Sequence, residues 1–179
     1  MRRKTRIKFN KTFLYPLLGI LLILAGFGVG KLSVPQELEK QAGILVIDPS
    51  QRLKVNVWYV IDGDTIHVIG GEKVRLIGID APGINETGGE EALGKLQTLV
   101  EDKEVELEFD PKVELGLRDP YGRLLAYIWV KDILVNEKLV KQGLAKVVSE
   151  EIQRDFKYKS RFLEAQKYAQ ENKLGIWKK

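Results

Sequence analysis

Two alternating apolar runs on either side of a glycine pair constrain the fold of this chain more than any other feature. Residues 65–69 (TIHVI) precede Gly70 and Gly71, and residues 74–79 (VRLIGI) follow them. Runs of this kind around a glycine pair are typical of a β-hairpin. We therefore expect two antiparallel strands joined by a tight turn.

Three aspartates lie at the ends of this predicted hairpin. Asp62 and Asp64 precede the first run, and Asp80 directly follows the second. Side chains two positions apart on a strand share a face, so Asp62 and Asp64 can point the same way. The hairpin folds the chain back, which should bring Asp80 near Asp64. Carboxylate oxygens are hard ligands of the kind that suits Ca²⁺ or Mg²⁺.

The other periodic segments predict one α+β domain over residues 53–179, which is long enough to bury a single core. Strands are predicted at residues 53–60, 104–109 and 123–130, and helices at residues 90–102, 136–142 and 160–171. The last helix is expected to turn inward Phe162, Leu163, Ala165, Gln166 and Ala169. The chain has no cysteine, so this core must be stable without disulfides.

The first 30 residues have the pattern of a basic tail followed by a membrane-directed segment. Residues 1–11 hold six basic residues and no acidic one, and residues 12–30 carry no charge. As a helix, residues 13–30 would span roughly 27 Å, close to the hydrocarbon thickness of a bilayer. We expect residues 12–30 to form a single transmembrane anchor. A cleaved signal peptide is the alternative.

The charge asymmetry around this segment predicts an orientation. Basic residues before a span favour a cytoplasmic N-terminus, so residues 53–179 should lie outside the cytoplasm, after a linker at residues 31–52. The protein is thus expected in the cell membrane, or in the medium if the segment is cleaved. Beyond the tail the chain holds 23 basic and 25 acidic residues, so its high pI is no evidence of a nucleic-acid-binding surface.

Three aromatic residues and the one histidine have ordinary structural explanations. Tyr127, Trp129 and Trp177 lie in apolar segments and are expected in the core rather than as stacking platforms. His67 is the chain's one histidine, and we assign it no role. A single histidine argues against a histidine-based nuclease or a zinc site.

Several motifs together carry a family resemblance over residues 55–177. They are IDGDT at 61–65, RLIGIDAP at 75–82, DPYGR at 119–123, NEKLVKQGLAKV at 136–147 and LGIW at 174–177. Because these motifs occur in this order and at this spacing, the chain resembles the thermonuclease family of staphylococcal-nuclease-like domains. The resemblance implies an OB-type five-stranded β-barrel with about three α-helices.

The resemblance also implies a set of site residues and a reaction. Asp64 and Asp80 would bind Ca²⁺ through their carboxylates, and Ala81 through its backbone carbonyl. Arg75 and Arg123 would hold the substrate phosphate and stabilise the charge that builds on it during attack by water. The implied reaction is hydrolysis of single-stranded or relaxed DNA and of RNA, leaving 3′-phosphates. We expect the protein to be a monomer.

At one position the chain departs from the family pattern. Members usually carry a glutamate directly after Asp-x-Pro, where it positions the attacking water, and here that position is Gly83. Glu86, three residues on, is a candidate substitute, and Tyr121 is expected to contact the scissile or terminal phosphate. Two hypotheses follow, a membrane-anchored Ca²⁺-dependent nuclease or a weakened or silent domain that binds nucleic acid or a partner at the cell surface.

Overall fold

The computed structural model describes residues 51–113, 117–148 and 155–178. Its strands are β1 (Leu53–Asp62), β2 (Thr65–Val68), β3 (Lys73–Leu76), β4 (Ile79–Asp80), β5 (Glu104–Glu108), β6 (Leu124–Val130), β7 (Ile133–Leu134) and β8 (Lys146–Val147). Its helices are α1 (Gly89–Val100), α2 (Val135–Lys141), α3 (Lys159–Glu171) and a final 3₁₀ turn (Gly175–Trp177).

The N-terminal predictions lie outside the described residues. This applies to the basic tail, to the apolar segment at 12–30 and to nearly all of the linker. In the three described ranges, none of the helices combines the length and the apolar character that crossing a membrane requires.

Five strands close into a barrel. β1 pairs antiparallel with β2 on one side and with β5 on the other. β2 continues to β3, and β5 continues to β6. A parallel pairing of β3 with β6 closes the ring, with Arg75 opposite Leu125. Together with three helices, this barrel confirms the predicted α+β fold class for the described part of the chain.

The predicted hairpin is present as β2 and β3. These strands pair antiparallel, with Thr65 opposite Arg75. Gly70 and Gly71 form the turn with φ angles of 106° and 93°. Glycine adopts such positive φ angles without the steric cost that a Cβ would impose.

The second apolar run is interrupted rather than continuous. β3 ends at Leu76, and Gly78, with a φ of 78°, turns the chain before β4. A Cβ on Gly78 would lie 2.6 Å from the ring of Phe156. The turn therefore requires glycine both for its backbone conformation and for space. β4 then pairs with β8, apart from the main sheet.

The core lies inside the barrel and under the helices. Its fully buried strand residues include Ile66, Val74, Leu76, Leu107, Leu124, Ala126 and Ile128. α1 covers them with Ala92, Leu96 and Val100. Two predicted core aromatics are confirmed: Tyr127 is fully buried and Trp129 nearly so, whereas Trp177 is partly exposed.

One residue of the last helix is placed differently from the prediction. α3 buries Phe162, Ala165 and Ala169, which lie on a single stripe of the helix. Leu163 is 46% exposed, so its prediction as a core residue is wrong. The stripe is narrow because successive helical residues are turned by about 100°, which carries Leu163 away from the face that Phe162 occupies.

Candidate active site

A tight turn between β1 and β2 sets the position of Asp64. Asp62 and Asp64 lie on either side of this turn rather than on one strand, and Asp62 Oδ1 accepts a hydrogen bond from the Asp64 amide at 3.1 Å. A Cβ on Gly63 would lie 2.6 Å from the Cβ of Ala81 and 2.7 Å from that of Ala92. Glycine therefore lets the turn close against α1 and the loop that follows β4.

Asp64 is almost completely buried, with 5% of its surface exposed. Its Oδ1 accepts from the Thr65 hydroxyl at 3.0 Å, and its Oδ2 accepts from the Ala81 amide at 2.8 Å. Burial raises the pKa of Asp64 to about 6, although Arg75 and the Ala81 amide lower it, and the nearby Asp62 carboxylate raises it further. The neighbouring positive charge and hydrogen bonds thus do not fully offset the cost of burying the ionised carboxylate. A cation beside it would stabilise its negative charge.

Arg75 bridges the two carboxylates that were predicted to meet. Its Nη2 lies 3.0 Å from Asp64 Oδ2 and 3.1 Å from Asp80 Oδ1. Its Nη1 donates to the carbonyls of Leu76 at 3.1 Å and Ile79 at 2.8 Å, within the turn between β3 and β4. The Asp80 side chain is itself 63% exposed. The hairpin therefore brings Asp80 back towards Asp64, as predicted.

Arg123 is held from a second direction, by a turn before β6. Asp119 Oδ1 accepts from the amides of Tyr121 at 2.9 Å and Arg123 at 3.0 Å. Its Oδ2 accepts from Arg123 Nε at 2.6 Å. Burial raises the pKa of Asp119, but these bonds from Arg123 outweigh it and hold the pKa below its usual range. A second hydrogen bond of the guanidinium runs from Nη1 to the Thr65 hydroxyl, at 3.5 Å.

Both arginines line one cleft of about 180 Å³. Its apolar walls include Ile77 and Leu125. Tyr121 stands at the edge, 85% exposed, with its ring centroid 5.5 Å from the guanidinium carbon of Arg123. Arg75, Arg123 and Tyr121 are therefore brought together, and Arg75 connects the cleft to Asp64 and Asp80.

The loop after β4 holds Gly83 and Glu86 in a tight turn. The Glu86 amide donates to the Gly83 carbonyl at 2.8 Å, and Glu86 Oε2 accepts from the Gly83 amide at 2.9 Å. The φ of Gly83 lies outside the left-handed region. Neither residue is among those lining the arginine cleft.

The donor set is compatible with a weakly bound hard cation. In the described ranges, no three histidine, cysteine or acidic side chains are grouped as metal ligands. Asp64 and Asp80 do converge on one guanidinium nitrogen, and the charge of the buried Asp64 is under-compensated. Two carboxylates leave several positions for backbone, water or substrate oxygens, which Ca²⁺ accepts.

Sequence reasoning missed two residues that hold this site together. Asp119 orients Arg123, and the Thr65 hydroxyl lies between Asp64 and Arg123. A signal for Asp119 was available, because Asp-Pro-x-Gly is typical of a type I turn whose first side chain accepts backbone N–H groups. Thr65 belongs to the IDGDT motif, but its contact with Arg123 depends on how the strands are placed in the fold.

Comparisons with known proteins agree with this geometry. Residues 73–179 match the family described as staphylococcal nuclease homologue. A thermonuclease of Staphylococcus hyicus is 38% identical over 127 residues, which cover 66% of this chain and 72% of that protein. Endonuclease YncB of Bacillus subtilis is 38% identical over 141 residues, or 73% of this chain and 65% of its own length.

The family match begins at the start of β3 and so includes Arg75, Asp80 and Arg123. Asp64 precedes the matched range, but the structure ties it to Arg75 and Ala81. Sequence and geometry thus agree on one family, and this chain belongs to the staphylococcal nuclease homologues.

Proposed function

We propose that this protein is a Ca²⁺-dependent nuclease that hydrolyses phosphodiester bonds in DNA or RNA. The observation that carries the proposal is the convergence of Arg75 and Arg123 on one cleft, with Asp64 and Asp80 joined through Arg75. Its relatives include proteins named thermonuclease and endonuclease. A guanidinium pair suits a phosphodiester because its planar donors match phosphate oxygens.

Asp64, Asp80 and the carbonyl of Ala81 would hold the ion. When bound, Ca²⁺ would supply positive charge that neutralises a phosphate oxygen of the substrate. The protein contributes the positions of the ligands. The Ala81 amide and the Thr65 hydroxyl fix the Asp64 carboxylate, whereas Asp80 is exposed and able to adjust.

The two arginines have different capacities for substrate. Arg75 already uses four of its five N–H donors on the two carboxylates and two carbonyls. Arg123 uses Nε for Asp119 and one Nη1 hydrogen for Thr65, which leaves three donors without a partner among the described residues. Arg123 is therefore the principal phosphate ligand, and Arg75 stabilises charge beside the carboxylates.

Cleavage of a single-stranded oligonucleotide by the full-length protein in nonionic detergent tests this proposal. With Ca²⁺ we expect products that end in 3′-phosphates, and with a chelator no cleavage. Arg123→Lys should slow the reaction strongly, because an ammonium group cannot reproduce the paired N–H donors of a guanidinium. Equal cleavage with Ca²⁺ and with chelator would contradict a Ca²⁺-dependent nuclease.

A second function, binding without efficient catalysis, is favoured by one observation. Position 83 lacks the carboxylate that the family usually provides, and Glu86 is occupied with the Gly83 amide. General-base assistance is typically worth roughly 10²–10⁴-fold, so its loss would leave a slow enzyme or a silent domain. Tight oligonucleotide binding without Ca²⁺-dependent products would support this second function.

We further propose that residues 12–30 anchor the protein in the cell membrane and that residues 53–179 act outside the cytoplasm. The support is the uncharged segment and the six basic residues before it. The substrate would then be extracellular nucleic acid. We propose that the protein works as a monomer.

A further inference from the structure

A bulge in β1 displays two consecutive aromatic side chains to solvent. Val57 lies opposite Val68, but Tyr59 lies opposite His67, so Trp58 has no partner residue on β2. Consecutive residues in a regular strand face opposite sides, and one of the two would point into the barrel. Here Trp58 is 60% exposed and Tyr59 40% exposed. The extra residue re-aims a side chain that would otherwise be buried.

Trp58, Tyr59 and His67 form one ring cluster, which we call the aromatic platform. The Tyr59 and His67 rings stack, with centroids 5.0 Å apart and planes inclined by 15°. The Trp58 ring makes a T-shaped contact with each, with centroids 5.3 Å from Tyr59 and 5.5 Å from His67. These contacts fix three rings against one another on the surface of the barrel, so that little side-chain freedom is left to lose on binding.

The aromatic platform lies beside the candidate active site on the same face of the sheet. Directly opposite residues of antiparallel strands share a face, so Tyr59, His67 and Lys73 form one cross-strand row. Thr65 and Arg75 form the next row on that face. The two rows are roughly 7 Å apart, because a strand rises about 3.4 Å per residue.

Both rows also carry polar or positively charged side chains that could contact the phosphates of a nucleic acid backbone. Arg75 lines the cleft, and the Thr65 hydroxyl contacts Arg123. Lys73 is exposed at the end of the platform row and has no ion-pair partner among residues 51–113, 117–148 and 155–178. Exposed rings beside cations are typical of surfaces that bind single strands, in which bases stack on the rings and phosphates contact the charges.

We propose that the aromatic platform stacks bases of a single-stranded nucleic acid whose neighbouring phosphodiester lies at Arg75 and Arg123. This inference rests on the proposed function, because it places the substrate strand across the arginine cleft. It predicts that this surface contacts unpaired bases. Bases of a duplex are stacked on one another, so they are not available to the platform, whereas an unpaired strand presents them.

Binding of a fluorescent single-stranded oligonucleotide to the full-length protein in nonionic detergent tests the platform. The measurement is made in chelator, so that hydrolysis does not interfere. Each ring that stacks on a base contributes to affinity, so Trp58→Ala and Tyr59→Ala should each weaken binding by roughly 5- to 150-fold. Trp58→Phe should retain most of the affinity, because it keeps a flat ring.

The matched control is Tyr168→Ala, which removes a 47% exposed ring from α3. Its affinity should equal that of the wild type, and duplex binding should be the same in all variants. Unchanged single-strand affinity in both Trp58→Ala and Tyr59→Ala would overturn the platform. The same variants are tested for binding to anionic lipid vesicles. If Trp58→Ala and Tyr59→Ala lose vesicle binding but keep their oligonucleotide affinity, the proposal is also overturned, because the platform would then bind a membrane surface.

Hydrolysis measured in parallel separates this inference from the proposed function. If Trp58→Ala and Tyr59→Ala bind the oligonucleotide as tightly as wild type does and Ca²⁺-dependent cleavage is normal, the inference is refuted and the nuclease assignment remains. If the alanine variants lose oligonucleotide affinity but the wild type shows no Ca²⁺-dependent cleavage, the inference is supported and the nuclease assignment is refuted.

Discussion

Individual side chains in this protein act through the groups that hold them. Arg123 faces the cleft because Asp119 accepts from its Nε, and Asp64 is fixed by the amide of Ala81. The motifs in the sequence predicted that Asp64, Asp80, Arg75 and Arg123 would come together. They did not predict the bond from the Ala81 amide to Asp64, because it joins residues 17 apart in sequence and depends on their three-dimensional placement.

Asp119→Asn tests the support of Arg123. Asparagine keeps an oxygen for the two turn amides but loses the charge that holds the guanidinium. We expect the turnover rate to fall by about tenfold with little change in the melting temperature. The reason is that the guanidinium of Arg123 is no longer held in position to contact the substrate phosphate. Steady-state kinetics on an oligonucleotide measure this effect. A turnover rate equal to that of wild type would show that Asp119 serves the turn alone.

Gly83→Glu tests the missing base. A Cβ at position 83 would lie 3.7 Å from the Glu86 carboxyl carbon, which is an ordinary contact, and the φ of Gly83 is one that other residues adopt. The substitution should therefore fold, and we expect it to raise the Ca²⁺-dependent rate within the roughly 10²–10⁴-fold range of general-base catalysis. Single-turnover kinetics with Ca²⁺ provide the measurement.

Glu86→Gln is the paired variant. If Glu86 acts as the base in the wild type, this change should slow the wild type and leave the Gly83→Glu protein nearly unaffected. A folded Gly83→Glu protein that binds Ca²⁺ and is no faster than wild type would argue for a binding domain instead.

At the scale of elements, periodicity and turn residues were sufficient to predict the barrel strands and the three helices. Two details were predicted wrongly, the continuity of the second apolar run and the burial of Leu163. In the run at 74–79, Gly78 turns the chain and leaves no room for a Cβ beside Phe156, a residue distant in sequence that a local pattern does not reveal. Leu163 is exposed because α3 buries only a narrow stripe, and an apolar residue beside that stripe was assigned to it.

The connection between β5 and the start of α3 depends on a largely buried carboxylate. Glu108 accepts from Trp129 Nε1 at 2.7 Å, from Lys157 Nζ at 2.6 Å and from the Tyr158 hydroxyl at 2.9 Å. Burial raises the pKa of Glu108, but these donors together lower it below its usual value. The ionised form is therefore favoured by the fold.

Glu108→Gln should lower the free energy of unfolding near neutral pH by about 2 kcal/mol, the scale of hydrogen bonds to a charged group. Since the pKa is lower in the folded state, the stabilisation is present above the unfolded value of about 4.5 and is lost as pH falls through the folded value. Wild type should therefore lose its advantage over the variant in acid.

Urea unfolding across pH measures this difference. Glu104→Gln is the matched control, because Glu104 lies on the same strand with a side chain that is 57% exposed and paired with Lys54. The control should change stability little at any pH. A Glu108→Gln protein as stable as wild type at neutral pH would show that the carboxylate does not hold α3 to the barrel.

At the scale of the whole molecule, the proposed orientation combines a cytoplasmic tail, a membrane segment and an external nuclease domain. Protease added to intact cells should then digest residues 53–179 while the protein fractionates with membranes. Immunoblotting of cells and of inside-out vesicles measures this. Protection in intact cells with digestion in vesicles would reverse the orientation, and soluble protein in the medium would indicate cleavage.

The central claim is that Asp64 and Asp80 make the arginine cleft a Ca²⁺-dependent phosphodiester site. The most direct test is the hydrolysis rate of the full-length protein as a function of Ca²⁺ concentration, compared for wild type, Asp64→Asn and the exposed-site control Asp132→Asn. We predict half-saturation on the order of 0.1–1 mM for wild type and control, and no Ca²⁺ response in folded Asp64→Asn. An Asp64→Asn protein that responds to Ca²⁺ as wild type does would contradict the account.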